Sequence, residues 1–454
     1  MSPALKTTII FLDFILFLVL LKVLPFDPAP AKGLALLVFI GVLWLTEALH
    51  LTVTALLVPI LASIMGLIPT GAALASFANS TIFLYFGGFA IAAALHLQEI
   101  DKMIALKMIK LAKGNFILSA FYLFFVTAFL SMWVNNTSTS AMMLPLAMGM
   151  LSGIPLEENK KVFVFVLLGI AFSASIGGLG TAVGSIPNAI VVSQLNLTFA
   201  EMFSYGFPLM VVMMVFMLLS LYIVLRPNLK IHFSEIEEGV PMTRERAVTL
   251  VIFALVACMW IFSGTINPIL SSLMGLEGNI QSFDSVIAVI AAVLVVASRV
   301  INWKQVQDNT NWGVLFLFGG GITLSAVLSS TGASKIISDG VVSLIEGSHY
   351  YVLGIAIAFF VIFFTEIVSN TAVATLLIPL FISIAESIGA PPLGLALIIA
   401  FGASCAFMLP VATPPNAIVY GTGHIRQIDM IKVGIILNIF ASLLIGSAAY
   451  FFWL

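Results

Sequence analysis

Apolar runs long enough to cross a hydrocarbon layer recur along this chain from end to end, and polar positions interrupt them at only a few places. The pattern predicts a first span over residues 7–24, ended by Pro25, Pro28 and Pro30. Two more cover 31–48 and 51–68, joined tightly at the TEALHL stretch that contains Glu47 and His50. A fourth covers 78–97 and runs into an amphipathic stretch with Lys102, Lys107, Lys110 and Lys113, which reads as a helix on the membrane surface. From Phe116 to Met150 the chain is too long and too polar at its centre for one span: residues 135–140 are Asn-Asn-Thr-Ser-Thr-Ser. Non-helical backbone at membrane depth must be buried in protein or line a cavity, so a re-entrant hairpin tipped at Asn135–Thr139 is expected. Residues 161–196 are interrupted at Gly177, Gly178, Gly180, Gly184 and Pro187, and a span at 203–225 follows.

The pattern then repeats. Spans are expected at 247–262, at 283–298 and from Trp312, then a second hairpin near 351–385, an interrupted helix at 393–424 and a last span at 431–454. Phe129–Pro145 aligns with Phe363–Pro379, placing Asn136 on Asn370 and Thr137 on Thr371, and Pro-Asn-Ala-Ile-Val occurs at both 187–191 and 415–419. Phe86-Gly87-Gly88 matches Phe318-Gly319-Gly320, glycines that read as close-packing positions, and Trp44 and Trp260 begin comparable positions. The expected organisation is therefore an extra N-terminal span over 1–30, a first repeat over 31–225, a charged cytoplasmic linker over 226–246, and a second repeat over 247–454.

Charge gives the orientation. With the N-terminus inside and each hairpin returning to its own side, fifteen lysines and arginines fall inside, Lys230 among them. Lys22, Lys32 and Lys335 fall outside. This bias fits eleven full spans plus two hairpins, an all-α polytopic protein with an external C-terminus. Five crossings per repeat make the second repeat enter from the opposite face, the mark of a secondary transporter. Only 8% of the 454 residues are charged and 61% are hydrophobic, and the net charge of −2 gives no reason to expect nucleic acid. Cys258 and Cys405 lie in apolar segments without metal or redox spacing, and His50, His96 and His424 stand singly at span ends.

The polar tips and breaks carry the candidate chemistry. Asparagine and threonine offer donors and acceptors without net charge, helix N-termini offer free N–H groups to a carboxylate, and carbonyl, hydroxyl and amide oxygens can hold sodium. Pro187 and Pro415 suit the first turn of a restarted helix, with Ser185 and Thr413 as caps. No lysine or arginine lies in the central parts of these four segments, so an anion would be held by dipoles, hydroxyls, amides and cations. Glu47 and Glu366 are charged residues near apolar runs, Glu366 three residues before the second Ser-Asn-Thr tip, with coupling, gating and buried structural roles all open to it. The segments hold no acid, base or metal cluster poised for catalysis, which argues against an enzyme. An anion channel could use the same donors, but repeated broken helices suit alternating access.

The TEAL stretch, the paired Asn-Thr tips and the Pro-Asn-Ala breaks resemble the divalent anion/sodium symporter family over almost the whole chain. The resemblance implies a homodimer in a prokaryotic plasma membrane, each protomer having a fixed scaffold domain and a mobile transport domain that moves like an elevator. It implies di- or tricarboxylate substrates, sulfate in some branches. Substrate contacts would fall on Asn136, Thr137, Ser185, Asn370, Thr371, Thr413 and Pro414. One sodium site would use Ser131, Asn135, Asn136 and Gly184, and the other Thr365, Ser369, Asn370 and Ala412. The family's usual serine is Asn135 here, whose NH2 group is bulky and a donor. That departure tips the expectation toward exchange of C4/C5 dicarboxylates, with sodium-coupled symport as the alternative.

Overall fold

The computed structural model describes residues 2–229, 231, 239–345, 349–387 and 389–453, and among these no strand occurs. The linker expected at 226–246 lies partly outside the described residues, as does Lys230. The chain opens with α1 (Pro3–Val23), α2 (Pro28–Thr46), α3 (Leu51–Ile64) and α4 (Thr70–Ala75), which continues through a 3-10 turn into α5 (Ser80–Leu97). The amphipathic stretch is α6 (Ile100–Leu111). The first hairpin is α7 (Phe116–Ser131) and α8 (Asn136–Leu151). The first interrupted helix is α9 (Leu156–Gly177), a 3-10 turn at Gly178–Gly180, and α10 (Ile186–Leu195), and α11 (Phe199–Leu225) ends this half.

The second half contains α12 (Arg244–Ile261), α13 (Ser263–Leu273), α14 (Phe283–Ala297), α15 (Trp303–Asn309), α16 (Trp312–Thr331) and α17 (Ala333–Ile345). The second hairpin is α18 (Tyr350–Thr365) and α19 (Asn370–Ser387), the second interrupted helix α20 (Pro392–Ser404) and α21 (Pro414–Tyr420), and α22 (Gln427–Ala448) closes the chain.

Each expected span has its helix, but their lengths differ from the apolar runs. Among the described residues seven segments are long and apolar enough to cross a bilayer, and α12 with α13 makes an eighth if the pair, bent by 96°, counts as one. The run at 51–68 forms only the 14-residue α3, while that at 283–298 forms the 15-residue α14, as expected to within one residue. Gly66, at φ +68, follows the end of α3 where the apolar run continues, and the left-handed backbone turns the chain there. Helix α13 was not expected, nor was α17 as a separate element.

Two hydrophobic cores result. The smaller joins α1, α2, α3 and α16 around Leu36, Ile40, Trp44 and Val58. The larger takes in both hairpins and both interrupted helices, with α9 buried from Val162 to Gly177 at its centre. The paired glycines are close-packing positions as the sequence suggests: a Cβ on Gly87 would meet the backbone of Ala288, and one on Gly320 the backbone of Ala55. The two tryptophans also match in use, Trp44 Nε1 donating to the Leu51 carbonyl (3.3 Å) and Trp260 Nε1 to that of Asp284 (3.0 Å).

Candidate functional site

Each hairpin meets the interrupted helix of the other half: α8 packs on α21, and α19 on α10. The result is one cavity of about 740 Å³ lined by both tips and both breaks. Asn135, Asn136 and Thr137 enter it from the first tip, Ser369, Asn370 and Thr371 from the second. Gly184 and Ser185 come from the first break, Ala412, Thr413 and Pro414 from the second. Ser131 and Thr365 lie just behind, fully buried. The structure thus brings all the candidate residues together.

The local geometry of the two halves is parallel. The Ser131 hydroxyl lies 2.7 Å from both Asn136 Oδ1 and the Ala174 carbonyl. The Thr365 hydroxyl lies 2.7 Å from Asn370 Oδ1 and 3.1 Å from the Ala403 carbonyl. Each hydroxyl has one proton for two acceptors, so each cluster has oxygen lone pairs to spare. Asn135 caps α8, its Oδ1 accepting from the Ser138 amide (2.8 Å). Ser185 caps α10 and Thr413 caps α21, accepting from the amides of Asn188 (3.4 Å) and Asn416 (3.3 Å).

The asparagines after the break prolines were not singled out from the sequence, and they stitch the breaks. Asn188 Nδ2 donates to the carbonyls of Gly178 (3.2 Å), Leu179 (3.1 Å) and Thr181 (2.8 Å). Asn416 Nδ2 does the same for Ala406 (3.1 Å) and Leu409 (3.0 Å). These carbonyls have lost helical partners at the break, and a buried side-chain amide replaces them. The repeated Pro-Asn was the available signal.

Beyond these bonds the halves diverge. The buried Glu366 accepts at Oε1 from the amides of Phe407 (2.7 Å) and Met408 (2.8 Å) and from Asn438 Nδ2 (2.7 Å), and at Oε2 from the Leu409 amide (3.0 Å). In the alignment of the tips its counterpart is Met132, which with Met210 packs around Gly180. There the Thr181 hydroxyl donates to the Met132 carbonyl (2.5 Å) and accepts from the Gly184 amide (3.0 Å). One break is held by a carboxylate and an amide, the other by one hydroxyl and two thioethers. Among the roles left open for Glu366, the contacts are those of a structural clamp.

The sequence pattern also missed the opposite wall, where Leu45, Thr46 and Glu47 at the end of α2 line the cavity. Ile367 and Val411, 81% and 84% exposed, line it beside the second tip and break. His96, read as single, pairs with the buried Asp101 (3.1 Å) away from this cavity.

Four helices begin at the cavity wall: α8 at Asn136, α10 at Ile186, α19 at Asn370 and α21 at Pro414. Re-entrant tips meeting broken helices in an apolar, all-helical chain make this an integral membrane transporter. Residues 4–454 match the sodium:sulfate symporter transmembrane region, and the chain belongs to the divalent anion/sodium symporter family. It is 57% identical to an uncharacterized transporter of Haemophilus influenzae over 450 residues, 99% of this chain and 98% of that one. It is 31% identical over 469 residues to the sodium-dependent dicarboxylate transporter SdcS of Staphylococcus saprophyticus (96% of this chain, 89% of that). The rat Na(+)/citrate cotransporter is 28% identical over 508 residues (90% and 88%). In fold the chain is similar to the YdaH transporter of Alcanivorax borkumensis, TM-score 0.60 at 14% identity, covering 94% of this chain and 99% of that one.

Proposed function

We propose that this protein carries C4/C5 dicarboxylates, of the succinate, malate, fumarate or 2-oxoglutarate type, across the membrane by alternating access. The observation that carries the reading is the convergence of four helix N-termini on a cavity whose described lining residues include no lysine or arginine. Each N-terminus is worth about half a positive charge, less for the seven-residue α21. Together they offer ~1.5–2 positive charges, which suits a dianion. Asn136, Thr137, Ser185, Asn370, Thr371, Thr413 and Pro414 are its contacts in this reading.

Sodium is the coupling ion we favour. The proton-poor oxygen clusters at Ser131–Asn136 and Thr365–Asn370 support it, as do the sodium-dependent relatives. Exchange of one dicarboxylate for another is the second reading, and Asn135 supports it, since its amide oxygen is engaged in the α8 cap. The smaller core would be the fixed scaffold and the larger the moving body of a homodimeric elevator. By the charge count, the Glu47 wall lies on the cytoplasmic side.

Uptake of labelled succinate into proteoliposomes tests this, with sodium replaced by choline and with or without internal succinate. Uptake driven by sodium without internal anion is expected. Uptake indifferent to sodium but dependent on internal dicarboxylate would establish exchange instead. Conductance far above carrier turnover would overturn the mechanism, and uptake of sulfate alone would overturn the substrate. Asn370→Ala should abolish uptake while leaving folding intact.

A further inference from the structure

Glu47 is the one ionisable side chain among the residues described as lining the site cavity, and its charge has the sign of the expected cargo. It is exposed, and among the described residues it makes no hydrogen bond or ion pair. Its backbone is left-handed, φ 48 and ψ 30, a conformation glycine takes freely and a side chain seldom does. A glutamate at such a position, unpartnered and facing the site, is a poor choice for packing alone. Leu43, Trp44 and Ala48, close to it in sequence, belong to the smaller core, which also touches the second tip at Ala372, whereas Val134, Phe401 and Phe407 belong to the larger.

We propose that Glu47 lowers the affinity of this open face for the transported anion and so favours its release there. The inference rests on the reading of the site as an anion carrier. The helix N-termini travel with the tips and breaks, so they attract the anion in either state. The carboxylate sits on the opposing body and acts only while the α2–α3 connection faces the tips. Its repulsion grows with each negative charge on the cargo and is screened by salt.

The test uses the full-length transporter in proteoliposomes, with KM measured separately at each face. The probes are monomethyl succinate, succinate, sulfate and citrate, at ~10 mM and ~1 M salt. For charges ~10 Å apart through water, removing one negative charge should lower KM about twofold for a monoanion, fourfold for a dianion and eightfold for a trianion. Glu47→Gln should do this at one face only, and the effect should vanish at ~1 M salt, where the screening length is about 3 Å. Glu47→Asn, which suits the left-handed backbone, should reproduce it, and Glu47→Asp should behave as wild type. A shift equal for all charges, present at both faces, surviving high salt, or absent at low salt would overturn the proposal. Should the wild type carry sulfate and no carboxylate, the dicarboxylate reading falls, while the sulfate ratio still judges Glu47.

Discussion

Glu366 clamps the second helix break, and removing its charge should measure the strength of that clamp. All four of its partners donate, so both carboxylate oxygens act as acceptors. In Glu366→Gln the three donors at Oε1 keep an oxygen, and the NH2 group takes the place of Oε2. The Leu409 amide then faces another donor, which costs about 1–3 kcal/mol. The three remaining bonds fall from charge-assisted to neutral strength, about 0.5–1 kcal/mol each. The loss is ~3–6 kcal/mol, which for a chain of 454 residues lowers Tm by about 3–6 °C. Thermal unfolding of the purified protein in detergent, paired with succinate uptake, reads both consequences. Met132→Leu at the counterpart position is the control and should cost less than ~1.5 kcal/mol, since it keeps an apolar side chain of similar volume. A Glu366→Gln variant with wild-type Tm and uptake would refute the clamp. So would an equal loss in Met132→Leu.

Other perturbations separate the parts of the site. Asn188→Leu and Asn416→Leu should each destabilise by ~2–4 kcal/mol by stranding buried carbonyls, Asn188→Leu the more because three depend on it, and the two Tm values order them. Gly178→Ala should raise the sodium concentration for half-maximal uptake severalfold: a Cβ there would stand 2.7 Å from Asn136 Oδ1 and 3.0 Å from the Gly184 carbonyl, displacing one of them. Asn135→Ser should leave Tm nearly unchanged, because serine caps as well as asparagine, while steepening the dependence of uptake on sodium.

Much of this arrangement is legible in the chain because apolar runs and their interruptions are local signals. The Asn-Thr tips, the Pro-Asn restarts and the match of Asn136 with Asn370 needed no three-dimensional information. What stayed hidden depends on approach between distant segments. Glu366 stands three residues from a tip, yet its partners are at 407–409 and 438, and only folding shows that a cluster of donors surrounds it. The same holds for the lining role of Glu47, which stands at the end of α2, far along the chain from the tips. Apolar run length misled at 51–68, where a turn consumes part of the run and a shorter helix remains.

The short helices α3 and α14 have a consequence for the surrounding lipid. At 1.5 Å per residue, α3 is ~21 Å long and α14 ~23 Å, against a hydrocarbon layer of ~30 Å. Both present apolar side chains outward, Val53, Leu56 and Ile60 on α3 and Val286, Ile290 and Val293 on α14. A bilayer meeting these surfaces thins to match them. Where α3 and α14 face lipid, the membrane beside the transporter would be several ångströms thinner than the bulk. Lipids with longer acyl chains resist that thinning, so turnover becomes a property of the host membrane as well as of the protein.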